Sequence, residues 1–211
     1  HSYLMREHAH GIFYDARGFG QSSARQCTKG SDCSKQFLWS VRGKDMLAVA
    51  DAFHLDRFVT GGRSMGAATA LFAALHAPKR VEAVVVWQIP RIWDERARSR
   101  KIWKRVAARL KARGNPRWRI FEGSAMTNLP PKKQVRKISC PVLIIAAEHD
   151  PIHTVSSARQ LADVIGDNAE LHIFRHTGKG RWPWDLKYQV EAVHIIDAFF
   201  AKHKLIRTAE H

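Results

Sequence analysis

Ser64 is the residue of this chain best suited to act as a nucleophile. It stands in Gly62-Arg63-Ser64-Met65-Gly66, a G-x-S-x-G pattern, after the β-branched run Arg57-Phe58-Val59-Thr60 and before an alanine-rich stretch, Met65 to His76. A serine hydroxyl becomes a useful nucleophile when it is held out on a sharp strand-to-helix turn with a base in reach. Such a turn strains the serine backbone, and the reading requires glycine two residues away on either side to avoid collision. The N–H of Met65 then faces the oxygen on which negative charge develops, as one donor of an oxyanion hole. That is acyl-transfer chemistry. The bland alternative is a glycine-rich turn with an idle serine.

A carboxylate follows at Asp150, just past the apolar run Val142 to Ala147. The C-terminal ends of parallel strands are where α/β sheets place their ligands. An Asp-Pro pair also serves as a turn or a helix cap, so the order Ser then Asp is needed to favour a role beside Ser64. For the base, His176 at the end of the next apolar strand is the expected partner. His149 and His153 flank Asp150 too closely to be expected opposite it, and His153 is read instead as lining the pocket. His194 lies inside the last helical stretch and reads as packed or surface. Arg63, Trp87 and Trp184, near strand ends, complete the expected substrate contacts, although both tryptophans also suit a core.

These residues need a scaffold, and the chain alternates short apolar runs with helical patterns. Strands are expected at Gly11–Asp15, Arg57–Thr60, Val81–Ile89, Val142–Ala147 and Leu171–Phe174. Helices are expected at Leu38–Leu55, Met65–His76, Val155–Ile165 and about Lys187–Lys202. Alternation of this kind means a doubly wound, mostly parallel α/β sheet. The rhythm breaks between residues 90 and 139. There Trp93, Ile102, Trp103, Val106, Ala107 and Leu110 mark an amphipathic helix, Gly114-Asn115-Pro116 stops it, and Leu129-Pro130-Pro131 marks the return. The division expected is a core of residues 1–89 and 140–211 with a helical cap at 90–139. The stripe Trp103, Val106 and Leu110 should turn towards the sheet.

The 211 residues carry 35 Lys and Arg against 19 Asp and Glu, a net +16, with 45% hydrophobic residues. Disorder and a disulfide scaffold are poor fits to that composition. No apolar run approaches the roughly 18 residues of a membrane helix. The charge is concentrated: residues 90 to 137 hold sixteen cations and three acids, a net +13. A solvated lid face is the first reading, attraction of an anionic substrate or surface the second, and nucleic acid the least favoured, since no basic–aromatic nucleic-acid motif is present. Cys27, Cys33 and Cys140 lack zinc-site spacing and read as reduced, spectator thiols in a cytoplasmic protein, the alternative being that Cys27 and Cys33 close a short loop under oxidation. No metal and no organic cofactor is implied, and oligomeric state is not legible.

Upstream of the serine motif, Asp15-Ala16-Arg17-Gly18-Phe19-Gly20-Gln21-Ser22 fits D-x-R-G-x-G-x-S. With the serine motif, the Ala77-Pro78-Lys79-Arg80-Val81 stretch, and Cys140 to Ile145 leading into Glu148-His149-Asp150-Pro151, the chain resembles the α/β-hydrolase superfamily over nearly its whole length. The resemblance implies a serine hydrolase acting on a carboxylic ester or similar small acyl substrate, with Asp150 as the triad acid. Two departures stand out. The family's G-x-G-H slot reads His176-Thr177-Gly178-Lys179-Gly180-Arg181 here, and an arginine does not serve as a base. The family's H-G-type oxyanion loop and the strands before it do not occur in this sequence, so roughly 40 to 70 residues would be missing from a fragment. The alternatives are a non-catalytic member kept as a binding or scaffold protein, and a basic module that holds an anionic partner through the cap.

Overall fold

The computed structural model describes residues 10–24, 33–175 and 186–205. Among them four strands, β1 (Phe58–Arg63), β2 (Val81–Trp87), β3 (Val142–Ala147) and β4 (Ala169–Phe174), form one all-parallel sheet in the order β1-β2-β3-β4. Every residue of β3 is buried, as befits a central strand covered on both faces. Its alternate side chains go to opposite sides. Val142, Ile144 and Ala146 join a cluster with Val84 and Val86 of β2 and with α1 (Trp39–Ala52), α2 (Met65–His76) and a later helix, Val155–Ile165. Leu143, Ile145 and Ala147 join Phe174, Ala192, Ile196, Phe199 and Phe200, the last four on the terminal helix Leu186–Lys202. The expected α/β architecture is therefore present. No helix among the described residues is long and apolar enough to cross a membrane.

Register sets the strand ends side by side. Arg63 lies beside Trp87, and Trp87 beside Ile145. The ladder runs one residue further, with the Ser64 N–H donating to the Trp87 carbonyl (2.9 Å) and the Gln88 N–H to that of Ile145 (2.8 Å). Whatever follows β1, β2 and β3 is thus brought together at one edge.

Three local expectations are corrected. Gly11–Asp15 forms no strand, and Phe13 in it is 68% exposed; a strand exists by pairing, and this segment has no ladder partner among the described residues. The strand expected to reach Ile89 ends at Trp87, because Gln88 takes a φ of +50°, which breaks the pleat. Cys140 is a free thiol as expected, but Cys33 is disulfide-bonded to a partner outside the described residues.

Between β2 and β3 the chain forms α3 (Arg96–Ala112), α4 (Trp118–Met126) and the short α5 (Lys132–Val135). The apolar stripe of α3 does not turn towards the sheet: α3 packs on α4, and Trp103 stacks on Phe121 with ring centres 5.7 Å apart. Eight cations and no acid occupy α3, leaving only one narrow stripe to bury, and the adjacent α4 covers it. In turn α4 packs on the 3-10 turn Cys33–Phe37. Two side chains at the start of α3 fasten this unit. The Arg96 guanidinium is buried over the Trp39 ring, 4.4 Å from its centre, and donates to the carbonyls of Thr127 (3.0 Å) and Ser124. Burial, with Arg100 nearby, pushes Arg96 down to about 10. Glu95 accepts from Thr154 and from the Ser157 hydroxyl (3.1 Å), at the start of α6 (Val155–Ile165); its carboxyl is held low against its burial by hydrogen bonds from Ser156, Thr154 and Ser157 and by Arg91.

Replacing Arg96 by methionine keeps much of the stacked volume but leaves two carbonyls without their donor. A loss of about 2–3 kcal/mol in urea unfolding is expected. A change within about 0.5 kcal/mol, the range of an ordinary surface substitution, would show that Arg96 does not fasten the inserted helices.

Candidate active site

Ser64 stands between β1 and α2 with φ +54° and ψ −115°, a conformation that costs a non-glycine residue about 1–3 kcal/mol. The sequence permits it through Gly62: a Cβ there would lie 2.5 Å from the Gly66 carbonyl carbon and 2.8 Å from its Cα. Gly66 is not constrained in the same way, since a Cβ on it would meet nothing within 4 Å. Of the two flanking glycines, only the first is required by space. Met65 opens α2, whose first N–H groups have no partners within the helix.

The D-x-R-G loop braces this turn. Asp15 accepts the Gln21 N–H (2.9 Å), and Arg17 pairs with Asp45 of α1 through two bonds, that from Nε at 2.9 Å. Arg42 of α1, also buried, lies near the rings of Phe19 and Phe37, and its Nη1 reaches the Met65 sulfur at 2.7 Å. Burial pushes Arg42 down to about 10 despite the opposing charge of Asp45.

Beyond β3 the chain turns back on itself. The Oδ1 of Asp150 accepts the N–H groups of Ile152 (2.8 Å) and His153 (2.9 Å). Arg91 donates to the carbonyls of Pro151 (3.0 Å) and Ile152 (3.3 Å), and the Thr154 hydroxyl caps α6 by accepting from the Ser157 N–H (3.2 Å). This turn returns the side chain of residue 153 to the carboxylate three residues before it. His153 Nδ1 lies 2.9 Å from Asp150 Oδ2, and its Nε2 lies 2.8 Å from Ser64 Oγ. An ionised carboxylate only accepts, so Nδ1 carries the hydrogen and Nε2 is left to accept from the serine hydroxyl. The ring is nearly buried, at 9% exposure. Ser64, His153 and Asp150 thus stand in one continuous hydrogen-bonded line.

His153, read from sequence as lining the pocket, lies within hydrogen-bond distance of both Ser64 and Asp150. The expectation that it sits too near Asp150 to face it is corrected, because the Asp-Pro turn reverses the chain within three residues. His176, Arg181 and Trp184 lie outside the described residues. Trp87 packs against the cluster around Leu143 and Phe174. Arg63, expected as a substrate contact, donates from its Nε to the side-chain Oε1 of Gln88, and the Gln88 Nε2 donates to Asp150 Oδ2. Gln88 and Arg42 were not singled out from sequence. A lone glutamine closing the apolar strand Val81–Trp87 was the available signal for the first; nothing local marks the second.

Burial works against the Asp150 charge, but the His153 ring, the two backbone N–H groups and the charge on a protonated His153 outweigh it and hold the carboxyl below its usual range. Its contribution to stability is then complete above the unfolded carboxylate's value, about 3.9, and is lost as pH falls through the lower folded value. The stability difference between wild type and Asp150→Asn should be constant near neutrality and shrink below about pH 4. A difference that stays constant from pH 7 to pH 2 would contradict this. Separately, Gly62→Ala should abolish a cooperative melt or lower stability by about 3 kcal/mol or more, whereas Gly66→Ala should be neutral or stabilise by up to about 1 kcal/mol, alanine being the better helix former. Equal damage from both would refute the spatial account of the motif.

Comparison with known proteins agrees with this picture. The profile of the alpha/beta hydrolase fold matches residues 2–98, a span holding both the D-x-R-G and the G-x-S-x-G motifs. The chain is 24% identical to 3-oxoadipate enol-lactonase 2 of Acinetobacter baylyi, over 86% of this chain and 77% of that protein. Among solved structures it is similar to a thermophilic esterase from Thermogutta terrifontis, with a TM-score of 0.69 and 17% identity over 90% of this chain and 78% of the other. It is similar also to the enol-lactonase from Burkholderia xenovorans LB400, with a TM-score of 0.61 and 20% identity over 89% and 79%. By its two motifs, its parallel sheet and these similarities, the chain has the α/β-hydrolase fold.

Proposed function

We propose that this chain is a serine hydrolase acting on a carboxylic ester or lactone, with Ser64 as nucleophile, His153 as base and Asp150 as the acid that orients it. The observation that carries this reading is the unbroken hydrogen-bond path from Ser64 Oγ through the His153 ring to Asp150. Residues 1–89 and 140–211 form the catalytic core in this reading, and residues 90–139 its cap. The named activities of the relatives, esterase and enol-lactonase, both cleave an acyl C–O bond, which supports the substrate class.

In the reaction, Ser64 Oγ attacks the acyl carbon as its proton passes to His153 Nε2. The carbonyl oxygen takes the negative charge and accepts from the Met65 N–H at the start of α2. Collapse expels the alkoxide or enolate oxygen, which takes the proton from His153. Water, activated by the same ring, then releases the acyl group and restores Ser64. Asp150 stays ionised throughout and stabilises the imidazolium.

A fluorophosphonate probe and a nitrophenyl ester test the assignment. Ser64→Ala should abolish both labelling and turnover, and His153→Ala should reduce them by about 10³-fold or more. His176→Ala should retain labelling near the wild-type rate. If His176→Ala is as damaging as Ser64→Ala while His153→Ala is benign, the base is His176 and the reading of His153 is wrong.

A further inference from the structure

We propose that Gln88, backed by Arg63, is a positioning residue for the Asp150–His153 pair. The structure joins these groups in one line: the Arg63 Nε–H donates to the Gln88 Oε1, and the Gln88 Nε2–H donates to the Asp150 Oδ2 that His153 also engages. The proposal rests on the reading of Ser64, His153 and Asp150 given above.

Three features of Gln88 support it. It follows β2, the strand between the one that presents Ser64 and the one that presents Asp150, so it stands in the gap between nucleophile and acid. It is 2% exposed and holds a φ of +50°, a position that an amide would not keep without partners. Finally, its two neighbours demand opposite chemistry. A guanidinium only donates and a carboxylate only accepts, so the group between them must accept on one side and donate on the other. A carboxamide does this without adding charge.

Two separable effects follow. The amide fixes the plane of the Asp150 carboxylate, which directs Oδ2 at His153 Nδ1. It also passes the polarising influence of Arg63 to that oxygen, drawing electron density away from the histidine. Loss of the first effect lowers the rate at every pH. Loss of the second leaves Asp150 a stronger partner for a charged imidazole, so His153 keeps its proton to higher pH. Other charged or titratable groups close to this turn include Arg91, on the Pro151 and Ile152 carbonyls, Glu95, on Thr154, and Glu148 and His149, which precede Asp150 in the chain; none is altered in the test.

The test measures the rate of fluorophosphonate labelling at Ser64 from pH 5 to 9 in the whole chain, for wild type, Gln88→Met, Arg63→Met, the double variant and His153→Ala. Gln88→Met should lower the plateau rate about ten- to a hundredfold and move half-maximal labelling to higher pH. Arg63→Met should move it the same way with a smaller loss of rate, and the double variant should be no slower than Gln88→Met, since both act through one amide. An unchanged midpoint in Gln88→Met, or fully additive losses in the double variant, overturns the proposal. If Gln88→Met does not melt cooperatively, Arg63→Met decides alone, and an unchanged midpoint there overturns it. Wild-type labelling that depends on His153 but is indifferent to Gln88 removes only this proposal. Labelling that does not depend on His153 removes the triad reading and this proposal together.

Discussion

A carboxylate taken out of water must be given donors, and the site is organised around meeting that need at Asp150. Its side chain is 7% exposed. Two donors come from its own turn, one from the residue after β2 and one from the imidazole. Three of the four lie on the turn after β3 and the fourth follows β2, so the carboxylate ties the ends of β2 and β3 together and, through His153, reaches the end of β1. The turn that satisfies the charge also aims the histidine. One carboxylate thus makes two kinds of contact, with Oδ1 closing the turn and Oδ2 holding the ring.

The cost of this arrangement is backbone strain at neighbouring strand ends. Ser64 and Gln88 both have positive φ, about 1–3 kcal/mol each for non-glycine residues. The sheet is stiff enough to hold them because both faces are packed. The alanine-rich α2 lies against it with Ala67, Ala68, Ala70, Leu71, Ala73 and Ala74 at 2% exposure or less. On the other side of the turn, the Arg17–Asp45 pair and the buried Arg42 fasten the D-x-R-G loop to α1 and reach Met65. The motif upstream of the serine therefore serves the serine mechanically.

The inserted helices answer a different electrostatic problem. Most of the chain's excess charge lies in residues 90–137, and none of the α3 cations is in an ion pair among the described residues. Seven of the eight are exposed, where water and salt screen them beyond about 8 Å. The eighth, Arg96, goes inward onto an indole face and two carbonyls rather than onto a carboxylate. Stacking suits the planar, weakly hydrated guanidinium and would not suit a lysine. The unit is thus attached through Arg96 and Glu95 at its first turn, while its apolar stripe is spent on the pairing of α3 with α4.

What the sequence determined alone was everything written in local pattern. The period of the apolar residues set the order of strands and helices, the G-x-S-x-G spacing marked the strained turn, and the family resemblance located Ser64 and Asp150. It misjudged residues whose role depends on chain reversal or on pairing. His153 looked too near Asp150 to face it, because linear distance says nothing about a turn closed by the aspartate's own carboxylate. The stripe of α3 showed that something would cover it, but not that α4 would. Gly11–Asp15 had a strand's composition, yet pairing is a property of two segments. Gln88 was invisible because its contacts come from its flanks: strand order puts Arg63 on one side of its amide, and the turn after β3 puts Asp150 on the other.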